Sequence, residues 1–178
     1  MQINCIQVFW TIPILKQSKF ITMTKLIFTT LFSLFSILNV SAQKSDASMS
    51  KLYQNYLNIK TALATDNSDE ASKAANTFIK AASMVDYKVL SEGNLDILRK
   101  DASSIAESRS IETQRASFGK LSNNMITLTK KFKLSDNSVF VQYCPMADAS
   151  WLSAEKAVKN PFYGKSMLTC GSVKSEIK

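Results

Sequence analysis

The sequence contains no histidine, and that single absence removes much of the usual site chemistry. Histidine-based triads and imidazole general bases are excluded, and the commonest zinc sites lose one of their two main donors. Glycine and proline are nearly as scarce, with 4 and 3 in 178 residues, too few turn residues for a many-stranded sandwich and a bias towards long helices. Carboxylates paired at useful spacing are also missing: Glu107 and Glu112 read as helix-end solvation. No Cys-x-x-Cys of a thiol oxidoreductase occurs, and no histidine is there to activate a cysteine, so the chain is not read as an enzyme.

Charge excludes a second class. The net charge is +8, but the basic residues are scattered, with Lys130, Lys131 and Lys133 as the one cluster. No aromatic residues alternate with a basic stripe, as a nucleic-acid groove requires, and the cluster reads as a solvated helix C-terminus. What remains is ordinary globular composition, 46% hydrophobic and 20% charged, which fits neither a disordered chain nor a collagen-like one.

The N-terminus reads as a targeting segment. Met23-Thr24-Lys25 leads into the apolar run Leu26 to Leu38, followed by Val40-Ser41-Ala42, a small-residue pattern suited to signal peptidase. That run is too short to span a bilayer comfortably, so residues 1–42 are expected to be a cleaved signal peptide, with an alternative translation start at Met23. The mature chain would begin near Gln43, with a periplasmic location and no membrane association. Cys5 leaves with the signal, as do Lys16, Lys19 and Lys25, and the remaining basic excess is mild.

Residues 43–178 are expected to form one domain. Leu52, Tyr56, Ile59 and Leu63 recur at spacings of four, three and four, one face of a first helix. Asp66-Asn67-Ser68 supplies a turn and an N-cap for a second, reaching about Val85 and burying Ala71, Ala74, Ala75, Phe78, Ala82 and Val85. Leu95, Leu98, Ala102 and Ile105 mark a third. Ser110 caps a fourth, in which Ile111, Phe118, Leu121, Met125, Leu128 and Phe132 follow a nearly strict heptad. No polar residue interrupts these stripes as read. They predict an all-α fold, an antiparallel four-helix bundle over about 48–133, followed by an irregular Cys/Met segment over about 134–178 carrying a short β-ribbon.

In that last segment Ser138 to Tyr143 is β-branched and aromatic, Leu168 to Val173 has a weaker bias of the same kind, and the two are expected to pair. Ser153 to Lys159 is read as one or two helical turns, and Trp151, Phe162 and Tyr163 as the apolar underside docking onto the helices. Pairing of the strands would bring Cys144, in Tyr143-Cys144-Pro145-Met146, next to Cys170, in Met167-Leu168-Thr169-Cys170. Pro145 restricts the turn, so at least one of Met146 and Met167 is expected to face the cysteines.

Two readings of these sulfurs stay open. Thiolate and thioether are soft donors that select Cu(I) and its congeners, so Cys144, Met146, Met167 and Cys170 would suit Cu(I) or Ag(I). Alternatively, two cysteines in an exported protein form a disulfide, which would stabilise the fold by about 3.5 kcal/mol on the chain-entropy model and leave Met146 and Met167 as packing residues. On spacing alone the disulfide is the commoner outcome. A redox-labile bridge that opens to bind metal would reconcile the two.

Six strings carry a resemblance: Gln114-Arg115-Ala116-Ser117-Phe118, Leu121-Ser122, Tyr143-Cys144-Pro145-Met146-Ala147, Trp151-Leu152-Ser153, Asn160-Pro161-Phe162-Tyr163-Gly164, and Met167-Leu168-Thr169-Cys170-Gly171. Together, from about Leu52 to Ile177, they resemble an exported bacterial family, domain-of-unknown-function family 3347. Its members stand alone or are fused to periplasmic adaptors of copper and heavy-metal efflux systems. The resemblance implies a periplasmic helical domain with a heavy-metal role, with those four sulfur residues as ligands and an efflux adaptor or metal chaperone as partner. It raises metal binding above the disulfide-stapled, non-catalytic interaction module. Unlike the fused members, the sequence is read as carrying no adaptor region and no histidine-rich tail.

Overall fold

Asp46 opens the first helix by accepting the backbone N–H groups of Ser48 (2.9 Å) and Met49 (3.2 Å), donors that a helix start otherwise leaves unpaired. It is also the first residue described by the structure, a computed structural model that describes residues 46–178. The expected signal peptide, its cleavage near Ala42 and the alternative start at Met23 lie outside those residues. No helix among the described residues is long and apolar enough to cross a membrane.

The described residues form four α-helices and a three-stranded antiparallel sheet. Helix α1 is Ala47–Ala64, α2 Ser68–Ala82, α3 Glu92–Glu107 and α4 Ile111–Leu128. Each helix packs on the next in sequence, and α4 also touches α1. The apolar stripes read from the sequence are the buried faces: Leu52, Tyr56, Ile59 and Leu63 on α1, the alanines and Phe78 on α2, Leu95, Leu98, Ala102 and Ile105 on α3. Asn67 caps α2 through Glu70 N–H at 3.0 Å, and Ser110 caps α4 through Thr113 N–H at 3.2 Å. Helices α2 and α4 stop at Ala82 and Leu128, short of the apolar patterns, and Val85 and Phe132 pack on the core from the turns that follow.

Polar residues do lie on the buried faces. Gln114 is fully buried on α4, and its Nε2 faces the carbonyls of Ser68 (3.0 Å) and Ser108 (2.9 Å) and the hydroxyl of Ser72 (3.0 Å). One amide thereby joins the start of α2 to the end of α3, where helix termini leave backbone groups to be satisfied.

The all-α expectation is corrected by the sheet. Strand β1 (Val139–Cys144) lies between β2 (Ala149–Ser153) and β3 (Ser172–Ile177), antiparallel to both. Strand β1 begins where the β-branched run predicted it. Strand β3 starts later than expected, at Ser172, because Gly164–Met167 winds into a short 3-10 helix first. Strand β2 was not foreseen. It follows the tight turn Pro145–Asp148, where Asp148 adopts φ 45°, a left-handed conformation that short polar side chains tolerate. The helical turns expected over Ser153–Lys159 are absent: the segment bends, and the carbonyls of Glu155 (2.9 Å), Lys156 (3.1 Å) and Ala157 (3.3 Å) converge on the Nε2 of buried Gln142. A side-chain donor inside the fold replaces the helical pattern there.

Sheet and helices join through aromatics. Ring contacts run from Tyr53 to Tyr56 on α1, to Phe118 on α4 (5.2 Å between the last two centroids), to Phe162 (5.8 Å), and from Phe162 to Trp151 on β2 (5.9 Å). Trp151 and Phe162 thus dock as the sequence predicted. The buried Tyr56 hydroxyl bonds to Ser122 Oγ (2.7 Å) and accepts the Leu152 backbone N–H (3.1 Å), so a helix side chain satisfies a strand donor. Burial pushes this hydroxyl far above its ordinary pKa, which keeps it protonated. Tyr56→Phe keeps the ring and strands both partners, so it should destabilise the protein by about 1–3 kcal/mol. Thermal unfolding measures this, and an unchanged midpoint would mean that the hydroxyl does not couple the two layers.

Candidate functional site

Cys144 ends β1, and Cys170 lies just before β3, so the β1–β3 pairing that sets Tyr143 opposite Ser172 brings both to one end of the sheet. Gly171 makes the close approach possible. Its φ of 136° is disfavoured for any side-chain-bearing residue, and a Cβ there would sit 2.8 Å from the Tyr143 carbonyl oxygen and 3.1 Å from the Trp151 ring. The sulfurs of Cys144 and Cys170 are 2.8 Å apart, and both thiols are free. They are neighbours, as expected.

Their surroundings differ. Cys144 is fully buried, while Cys170 is partly exposed. Pro145 has no N–H to offer, so the first backbone donors after Cys144 belong to Met146 and Ala147. Burial alone pushes the Cys144 thiol up. Hydrogen bonds from Cys170, Ala147, Met146 and the Asn160 side chain outweigh that, and the net position is below the ordinary thiol range. Cys170 moves the other way: its hydrogen bond to Cys144, then burial, then the adjacent negative charge hold it above that range.

Met146 and Met167, two or three residues from the cysteines in sequence, lie at the surface, 64% and 37% exposed. The Met146 carbonyl accepts the Tyr163 hydroxyl at 3.0 Å. Tyr163 thereby touches the turn that carries the site.

Three residues outside the predicted ligand set hold this geometry. Asn160, fully buried, donates from Nδ2 to the Cys170 carbonyl (2.8 Å) and accepts the N–H groups of Phe162 (2.8 Å) and Tyr163 (3.3 Å). Its own N–H donates to Leu168 O at 2.7 Å. Arg115 on α4 donates to Pro161 O (2.9 Å) and Leu63 O (3.1 Å) and forms an ion pair with Asp66, whose other oxygen accepts Lys165 N–H at 3.0 Å. Gly164 passes so close to that pair that a Cβ would lie 1.8 Å from Asp66 Oδ1. An Asn before a Pro marks a side-chain-bonded turn in any sequence, and was a usable signal for Asn160. Nothing in the spacing around Asp66 or Arg115 foretells a partner on the sulfur loop.

A mixed helix-and-sheet domain with a paired-thiol site is the class defined by these features. Residues 52–137 match the family model described as Protein of unknown function (DUF3347), which supports placing the helical region in that family. The matched span ends before Cys144, so it covers the helices and not the cysteine segment. No curated protein and no solved structure compared with the chain matches it.

The anchoring carries a pH dependence. The Lys165 N–H, helped by Arg115 against the opposing effect of burial, holds the Asp66 carboxyl below its ordinary pKa. A depressed carboxyl adds stability above its unfolded-state value near 4, and that stability is lost as pH falls through the lower folded value. Asp66→Asn should therefore cost about 1 kcal/mol at pH 7, after allowance for solvent screening. The gap to the parent should close below about pH 4. Thermal midpoints across pH measure both, and a gap that persists at low pH would contradict the assignment.

Proposed function

We propose that the protein is an exported, periplasmic domain that binds or buffers a soft monovalent cation, Cu(I) or Ag(I), through the thiolates of Cys144 and Cys170, in heavy-metal homeostasis or efflux. The observation that carries this reading is the adjacency of two soft donors, one buried and one open to solvent, at one end of the sheet. Among the described residues no group of three or more His, Cys, Asp or Glu gathers, so this donor set suits a low-coordinate soft ion far better than zinc or a hard cation. Metal–thiolate bonds of about 2.3 Å, the zinc value, put two sulfurs on one ion about 4 Å apart. Binding would therefore swing the more exposed Cys170 outward, and Met146 or Met167 would turn in as a thioether ligand. An efflux adaptor or a metal chaperone is the proposed partner.

The second reading, a non-catalytic interaction module held by a Cys144–Cys170 disulfide, is favoured by the 2.8 Å separation itself. That is less than 1 Å beyond a bond of about 2.05 Å. Titration of the reduced protein with Cu(I) against a competing chelator separates the readings. One equivalent should bind, Met146→Leu with Met167→Leu should weaken binding, and Cys144→Ser with Cys170→Ser should abolish it. Unchanged affinity in the double-serine variant would end the metal reading.

A further inference from the structure

The two sulfurs are unequal in exposure, one buried within the fold and one partly open to solvent, and a pair whose only role was to clamp an ion or staple a loop would not need that inequality. We infer that Cys144 and Cys170 form a thiol–disulfide exchange site of fixed polarity, in which Cys170 meets an incoming small-molecule or protein disulfide and Cys144 resolves the mixed disulfide. The geometry carries this. Cys144 is sealed at the end of β1, out of reach of an external disulfide, while Cys170 is the partly exposed member. The exposed side chains of Met146, Met167 and Leu168 flank the two cysteines in sequence and offer an apolar surface to the incoming reagent.

The chemistry balances. The Cys144 thiolate takes the proton of the adjacent Cys170 thiol, and Cys170, now a thiolate, attacks one sulfur of the external disulfide and forms a protein–S–S–R bond. The first thiolate, RS⁻, leaves and takes that proton from Cys144, which is a thiolate again. The Cys144 sulfur, 2.8 Å from Cys170, then attacks the Cys170 sulfur as a thiolate, forms the internal disulfide and expels the second RS⁻. The protein dithiol gives up two electrons and the external disulfide takes them. Asn160 is a positioning residue: it orients the Cys170 backbone through the 2.8 Å bond to its carbonyl.

Exchange needs no metal, so it is tested on the reduced, chelator-treated protein, and its failure leaves the Cu(I) titration standing. Reaction with oxidised glutathione, quenched in acid and read by intact mass, should give the internal disulfide with no lasting glutathione adduct. Cys144→Ser should accumulate a stable adduct at Cys170, and Cys170→Ser should react about tenfold more slowly or less, because access limits the buried sulfur. Limiting iodoacetamide on the unaltered protein, with peptide mapping, should label Cys170 first and needs no variant to fold. Asn160→Asp keeps the acceptor for Phe162 and Tyr163, removes the donor and adds a like charge, so the pH profile of the resolving step should move upward. A lasting adduct on the unaltered protein, preferential labelling of Cys144, or an unmoved pH profile with normal folding would overturn the corresponding assignment of resolving sulfur, entry sulfur or positioning residue.

Discussion

A single buried amide closes the segment that carries the chemistry. Asn160 uses its backbone N–H on Leu168, its side-chain oxygen on two successive N–H groups, and its side-chain nitrogen on the Cys170 carbonyl. These bonds fold the chain between Asn160 and Cys170 back on itself, so that Cys170 arrives beside β1. A buried polar group is stabilising only when its partners are all in place, and here its partners are the backbone of the site loop itself. The position of Cys170 is therefore set by interior hydrogen bonding more than by the exposed surface around it.

The loop is in turn tied to the helices. Arg115 reaches from α4 to Pro161 and Leu63, Asp66 receives both Arg115 and Lys165, and the aromatic series from Tyr53 to Trp151 fills the space between. The helices bear little site chemistry but hold the frame on which two sulfurs meet. Once met, the sulfurs are differentiated by exposure: Cys144 is buried at the end of β1, and Cys170 is partly open to solvent. Soft-metal capture and exchange with disulfides would both draw on that one arrangement, and each would exclude the other while it lasted.

The helices were legible because their signal is periodic: Leu52 to Leu63 and Leu95 to Ile105 bury the faces their spacing names, and Asn67 and Ser110 cap where expected. The adjacency of Cys144 and Cys170 was legible through the β-branched and aromatic run Ser138 to Tyr143 and a second, weaker strand signal. Strand β2 was not, because its residues, Ala149 to Ser153, look like docking residues, and the hairpin rests on a left-handed Asp148. The bend at Ser153–Lys159 was hidden for a related reason: its carbonyls are satisfied by Gln142, more than ten residues away in sequence, and local patterning carries no trace of that. Arg115 and Asp66 likewise owe their roles to partners remote in the chain.

The central claim is that folding holds the two sulfurs within bonding reach before any bond or ion joins them. The most direct test is the equilibrium constant for forming the Cys144–Cys170 disulfide against a glutathione redox buffer, measured in native conditions and again in denaturing urea. A preorganised pair should show an effective concentration at least about a hundredfold higher when folded than when the intervening loop is a flexible chain. Equal values in the two conditions would contradict the account, because the fold would then contribute nothing to bringing the sulfurs together.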